Sequence, residues 1–211
     1  MAERPAYFLN NGKVSLKSFS FEWFAGLSVS QKQKSIESLH SSISKTDSNS
    51  VPLEISTKSK NPLGVKLSAF NLKLDNFKLE NIYQSSKVFT GGGAYRDLLE
   101  ISPKDAKRDE RLKNSGELKC FDYNGEIFPV FPKTAFYDYI YIKAVKQSLS
   151  EVEIQEIKKY THFTDIEFNP AKGISTQAKS VAIIKLMLDM YGNIPELNKN
   201  EFITFHTEYV I

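Results

Sequence analysis

With 211 residues, 41% of them hydrophobic and 25% charged, the chain has the balance of an ordinary soluble globular protein and enough length for one good core. The lone cysteine, Cys120, excludes an internal disulfide and a thiolate-rich metal site. No apolar run approaches a membrane span and the start lacks a signal-peptide layout, so a cytoplasmic protein with no membrane partner is expected.

The net charge of +3 is unevenly spread: residues 1–120 carry 19 basic against 13 acidic side chains, and the remainder 9 against 12. Such an excess permits a phosphate-bearing partner but is small beside that of dedicated nucleic-acid binders. The first stretch, AYFLNNGKVSLKSFSF, alternates apolar and polar residues on both sides of Asn11-Gly12, a strong tight-hairpin pattern. Trp23 and Phe24 follow, as a candidate exposed apolar patch for a protein interface. Ser30-Gln31-Lys32-Gln33 has the form of a capping box, and Ile36, Leu39 and Ile43 continue at helical spacing to about Ser44. A polar loop from Ser41 to Ser50 leads to a short strand over Val51–Ser56. Residues 1–55 therefore read as a β-hairpin-plus-helix extension on a main domain of residues 56–211.

After Asn61-Pro62-Leu63-Gly64 the segment VKLSAFNLKLDNF has mixed periodicity. Next comes LENIYQSSKVF, read as one helix, in which Glu80, Gln84 and Lys87 stand at i, i+4 and i+7 and so share a narrow stripe. Leu79, Ile82, Tyr83 and Phe89 are then the core-facing residues. On spacing alone the stripe is a solvated helix face, whose pairs contribute about 0.2–0.5 kcal/mol each. Gly91-Gly92-Gly93 either separates two helices or offers backbone amides to a phosphate. Ser102-Pro103-Lys104-Asp105 is a well-formed helix start, and the charge-dense segment behind it contains Arg108 and Arg111.

Asn124-Gly125 between apolar runs predicts a second hairpin. Lys133–Leu149 reads as an aromatic-rich helix, and Ser150-Glu151-Val152-Glu153 caps another that runs to about Tyr160. THFTDIEFNPAKGIS reads as loop, with Asp165 and Glu167 placed among aromatics where a half-buried carboxylate can be tuned. Gln177–Tyr191 is the best core helix, stopped by Gly192, and EFITFHTEYVI is expected to end the chain as a strand.

The sequence contains no phosphate-binding Walker loop, no Rossmann glycine fingerprint and no Gly-x-Ser-x-Gly elbow. His40, His162 and His206 lack metal-ligand spacing, so neither a metal nor another cofactor is expected; His162 lies close to Asp165 as a minor acid-base candidate.

From Gly64 to Lys107 the chain resembles the NADAR (YbiA-like) family. Leu67-Ser68-Ala69-Phe70 stands where that family has Leu-Ser-x-Phe, Glu80, Gln84 and Lys87 where it has Glu-x-x-x-Gln-x-x-Lys, and Ser102-Pro103 at its Ser-Pro helix start. Phe163–Met190 is similar to the family's acidic loop and final helix, although the usual Trp-Gly is missing and Glu167 and Phe168 stand nearby. SFEWFAGLSVSQKQKSIESLH and PKTAFYDYIYIKA resemble the subgroup associated, as antitoxins, with DNA-modifying toxins of the DarT type.

The resemblance implies an α+β fold, mainly helical, with short hairpins. It also implies N-glycosidic cleavage that removes ADP-ribose from guanine in DNA, with a DarT-type toxin as a further partner. Breaking that bond builds positive charge at the anomeric carbon, which a carboxylate stabilises; Glu80 is the first candidate. A neutral lysine can instead add to that carbon and pass through a Schiff base; Lys87 and Lys66 are the candidates, with Asp165 as a further acid. Ser68, Asn71 and Gln84 are candidates to orient the base or ribose, and Gly92, Gly93, Arg96 and Arg108 to hold the pyrophosphate. The alternatives are a non-catalytic antitoxin, an ADP-ribose-binding module, or a glycosidase for a small phosphorylated riboflavin-pathway intermediate.

Overall fold

A computed structural model describes residues 1–169, Gly173 and residues 177–210. The expected first hairpin forms: β1 (Ala2–Asn10) and β2 (Lys13–Phe21) pair from Asn10↔Lys13 to Ala2↔Phe21. Asn11 and Gly12, with φ of 50° and 71°, supply the left-handed turn that this hairpin requires. Helix α1 (Val29–Thr46) begins earlier than the Ser30 box suggests, because Ser28 takes the capping position and accepts from Gln31 N at 3.3 Å. Its buried Ile36, Leu39 and Ile43 pack with Ala6, Phe19, Phe21 and Ile166 in a small core beneath the hairpin.

The segment read as loop after Thr161 contains a strand. β10 (His162–Thr164) lies between β1, to which it is antiparallel, and β3 (Pro52–Glu54), to which it is parallel, giving the order β2-β1-β10-β3. A three-residue strand whose partner is more than a hundred residues away leaves no local periodicity. Of the remainder of that expected loop, residues 170–172 and 174–176 lie outside the described residues.

Between these strands the chain forms α2 (Pro62–Lys66), the small ladder β4 (Lys73–Leu74) with β5 (Phe77–Lys78), and α3 (Leu79–Ser85). The single helix expected from Leu79 to Phe89 is corrected: α3 stops at Ser85, and Lys87 opens β6 (Lys87–Phe89). Pairing decides this, since β6 joins β8 (Leu118–Tyr123) at Lys87↔Phe121 and Val88↔Cys120. The glycine run is likewise not a helix junction. Gly92–Gly93 forms β7 on the other edge of β6, giving the order β7-β6-β8-β9, with β9 (Glu126–Pro129) turning at Asn124-Gly125 as expected.

A short 3₁₀ turn (Arg96–Leu99), α4 (Pro103–Arg108) and α5 (Arg111–Asn114) lead into β8. Ser102 caps α4 as expected, accepting from Asp105 N at 3.1 Å.

Helix α6 (Ala135–Ser148) crosses the centre and is followed by α7 (Glu151–Glu156), whose Ser150–Glu153 capping box is complete. Phe136 of α6 stacks on Phe121 at 4.6 Å, and Phe121 on Tyr83 at 5.6 Å, so an aromatic layer fixes α3 against both the second sheet and α6. Helix α8 (Gln177–Tyr191) buries Ala178–Ile184 and Leu186–Leu188, as a core helix should. The expected final strand is corrected to helix α9 (Lys199–Tyr209). Asn198 and Glu201 form a capping box, and buried Phe202, Phe205 and His206 recur at helical spacing; the aromatic and β-branched content of the segment was a weaker signal than that period. The architecture is α+β, and among the described residues no helix is long and apolar enough to cross a membrane.

Candidate functional site

Glu80, Gln84 and Lys87 come together even though they do not share one helix. Gln84 Nε2 donates to Glu80 Oε1 at 2.7 Å, and Lys87 Nζ donates to Gln84 Oε1 at 2.7 Å. The amide is thus a bridge between acid and amine. Lys87 Nζ also lies 4.7 Å from the centre of the Tyr83 ring. Burial brings the Lys87 pKa down to about 8; Glu80 opposes the shift, and Lys107 on α4 adds to it. An amine so placed is about one-tenth neutral at pH 7, whereas an ordinary lysine is almost wholly protonated.

A second group of residues lies, with Glu80, within electrostatic reach of one tyrosine, Tyr137. The Tyr137 hydroxyl is buried and held well above its usual pKa by burial first, then by Tyr141, with Glu80 and Asp165 both adding to the shift. Asp165, just past β10, is buried and accepts from Glu167 N and Phe168 N, each at 3.1 Å. Burial, reinforced by nearby Glu54, pushes its carboxyl up to about 7, against hydrogen bonds from Gln177 and those two amides. Gln177, the first residue of α8, also accepts from Ala69 N at 2.7 Å, and Tyr141 donates to Leu67 O. These two bonds hold Leu67–Ala69 beside Asp165. In that segment Ser68 Oγ is buried with no hydrogen-bond partner among the described residues. Gln177, Tyr137 and Glu54 did not emerge as site residues from sequence reasoning, and Lys107 entered only as the end of the family-like segment; for Glu54 the available signal was an acid inside an otherwise apolar short strand.

Other candidates are placed elsewhere. Lys66 is exposed at the end of α2 and pairs with Glu153 of α7, not with the Glu80–Gln84–Lys87 chain. Asn71 is an exposed turn residue whose Nδ2 donates to Val65 O at 2.7 Å. Gly93 does reach the site wall: a Cβ there would stand 2.3 Å from Lys87 O. Gly92 packs under Tyr95, where a Cβ would meet the hydroxyl at 2.5 Å. Arg96 pairs with Asp122 at 2.8 Å, and Arg108 is exposed at the end of α4. His162 stacks on Phe8 at 5.0 Å and its Nδ1 contacts Thr161 Oγ1, so it is committed to packing. Trp23 and Phe24 are half-buried instead of exposed; Lys32 lies 4.7 Å and Arg4 5.3 Å from the centre of the Trp23 ring.

Fold and site together define an α+β protein in which a desolvated lysine and a bridged glutamate stand near a buried, proton-retaining aspartate. The chain belongs to the family of DarT1-associated NADAR antitoxins, which matches it over residues 2–210. It is therefore an antitoxin by family, and the subgroup resemblance drawn from its motifs holds. No curated protein matches the chain.

Proposed function

We propose that this antitoxin is an N-glycosidase that removes ADP-ribose from guanine bases in DNA and so reverses modification by a DarT-type toxin. The observation that carries this reading is the Glu80–Gln84–Lys87 chain, which keeps an amine with a pKa of about 8 one amide away from a carboxylate. Neutral Lys87 forms a bond to the anomeric carbon as the bond to the guanine nitrogen breaks. The electron pair of that bond leaves with the base, which takes up a proton. Opening of the ribose then gives a Schiff base, and water hydrolyses it to release ADP-ribose and restore the amine. Glu80 stabilises positive charge at the anomeric centre, and Asp165, which retains its proton to about pH 7, supplies the proton for the base. Gln84 and Ser68 orient the ribose or base, and Gly93 keeps the β7 edge against the backbone of Lys87. The fold is read as YbiA-like around α3, α6 and α8.

The test is multiple-turnover release of ADP-ribose from guanine-ADP-ribosylated single-stranded DNA by wild type and by Glu80→Gln. Turnover in wild type that falls by about 10²–10⁴ in a folded variant supports the reading. Protection that is only stoichiometric would make the protein a binding antitoxin, and activity confined to small phosphorylated N-glycosides would move the substrate.

A further inference from the structure

The carboxyl of Glu54 is fully buried at the end of β3, and two of its bonds reach the two residues on either side of Asp165. Thr164 Oγ1 donates to Glu54 Oε2 at 2.6 Å, and Ile166 N donates to Glu54 Oε1 at 2.8 Å. The pairing of β3 with β10 supplies the frame, with Thr164 opposite Glu54 and Ile55 N donating to Thr164 O at 2.8 Å. Thr164 and the Ile166 amide thus both meet Glu54, while Asp165 between them bonds to Gln177. His40 of α1 closes the outer end of this arrangement, its Nε2 lying 2.9 Å from Thr164 Oγ1. A cleft of about 150 Å³ lined by His40, Glu54, Asn61 and neighbouring residues opens on that outer side. Burying a carboxyl without a partner cation is costly, and packing alone would be served better by an apolar side chain. Its position is explained by what it grips.

We propose that Glu54 is a positioning residue for Asp165, gripping both of its chain neighbours and thereby fixing the direction in which the Asp165 carboxyl enters the site. The proposal rests on the reading of Asp165 as part of the glycosidase site. The two acids also interact through the sheet: like charges this close resist simultaneous ionisation, so removing Glu54 lets Asp165 ionise at lower pH. Among the described residues, Tyr7 from β1 and Tyr137 and Tyr141 from α6 feel the charge of Asp165, Glu167 from the turn that follows acts on Glu54, and His40 from α1 touches Thr164; none of these is substituted in the test.

The experiment compares wild type, Glu54→Ala and Glu54→Gln by carbon NMR titration of the Asp165 carboxyl in the free protein and by steady-state release of ADP-ribose. Glu54→Ala is expected to move the Asp165 midpoint down toward the usual carboxylate range. It is also expected to lower kcat about 10–100-fold with little change in KM, the cost of a misplaced acid. Glu54→Gln, which still accepts from Ile166 N, recovers most of that rate. A folded Glu54→Ala with the wild-type midpoint and kcat overturns the proposal, as does a kcat loss that Gln does not recover and that leaves the midpoint in place. If Glu54→Ala does not fold, Thr164→Val removes one of the two grips while keeping the Glu54 carboxyl; an unchanged kcat there is again contrary. Because the titration needs no substrate, failure of the glycosidase reading would appear separately, as absence of turnover in wild type or full activity in Asp165→Asn.

Discussion

Lys87 Nζ and the Glu80 carboxylate are joined through one side chain, the amide of Gln84, which accepts from the first and donates to the second at 2.7 Å each. A direct ion pair would hold the amine protonated; an amide bridge keeps the acid close without neutralising it. If unprotonated Lys87 attacks while protonated Asp165 supplies the proton, kcat/KM should be bell-shaped, rising about tenfold per pH unit up to about 7 and falling above about 8. Lys107→Ala removes the neighbouring cation that helps lower the Lys87 pKa, so the alkaline limb should move to higher pH and the maximum should fall. The measurement is the pH profile of ADP-ribose release for both proteins. A wild-type profile with no alkaline limb, or an alkaline limb unmoved in the variant, would show that another group is titrating.

Asp165 gives a stability prediction that requires no substrate. Its folded-state pKa of about 7 lies above the ordinary value of 3.8, so the folded chain holds this proton more tightly than the unfolded chain. Stability contributed by the neutral carboxyl is present below about pH 4 and is lost as pH rises to about 7. Asparagine does not ionise and escapes that loss. Asp165→Asn should therefore gain stability relative to wild type as pH rises from 4 to 8, on the order of 4 kcal/mol. Urea denaturation at the two pH values reads the difference, and an offset independent of pH would contradict the assignment.

A second buried acid should behave in the opposite way. Asp138 is fully buried and accepts from Ser180 Oγ at 2.6 Å, with His206 Nε2 at 3.0 Å and Lys179 Nζ at 3.4 Å. Those partners hold its pKa below the usual carboxylate range in spite of burial. Asp138→Ala leaves Lys179 and His206 without their anion at the junction of α6, α8 and α9, and should cost about 3–5 kcal/mol. A shift in the urea midpoint worth less than 1 kcal/mol would mean that the network relaxes around the loss.

How much of this was legible in advance follows from the range of the interactions involved. Asn11-Gly12, Asn124-Gly125, Ser102-Pro103 and the Ser150 box each act within a few residues, and each produced the element expected of it. The functional stripe was found for a partly wrong reason. Lys87 meets Gln84 from a strand, because pairing with Phe121 and not helical periodicity determines its backbone. Glu54 left only the trace of an acid in an apolar strand, and β10 none, since their meaning lies in contacts about 110 residues apart in sequence. The same holds for Tyr137, which looked like one more aromatic on α6 until Glu80 and Asp165 were both found in its surroundings.

Gly93 tests whether the small sheet positions the lysine. Its φ of +100° is one that side chains rarely adopt, and a Cβ would stand 2.3 Å from Lys87 O and 3.1 Å from Val88 Cα. Both of those atoms are backbone, so Gly93→Ala must displace β7 or β6, and with β6 the origin of the Lys87 side chain. The substitution should cost about 1–3 kcal/mol and, in the protein that remains folded, lower kcat/KM at least tenfold. Gly12→Ala is the control. It too has a positive φ, of +71°, but a Cβ there meets nothing within 4 Å, and the turn carries none of the site residues. It should lose about 1 kcal/mol from backbone strain and retain its rate of ADP-ribose release. Thermal denaturation and turnover measured on the same preparations separate the two effects; equal rates in the two variants would show that β7 does not hold Lys87 in place.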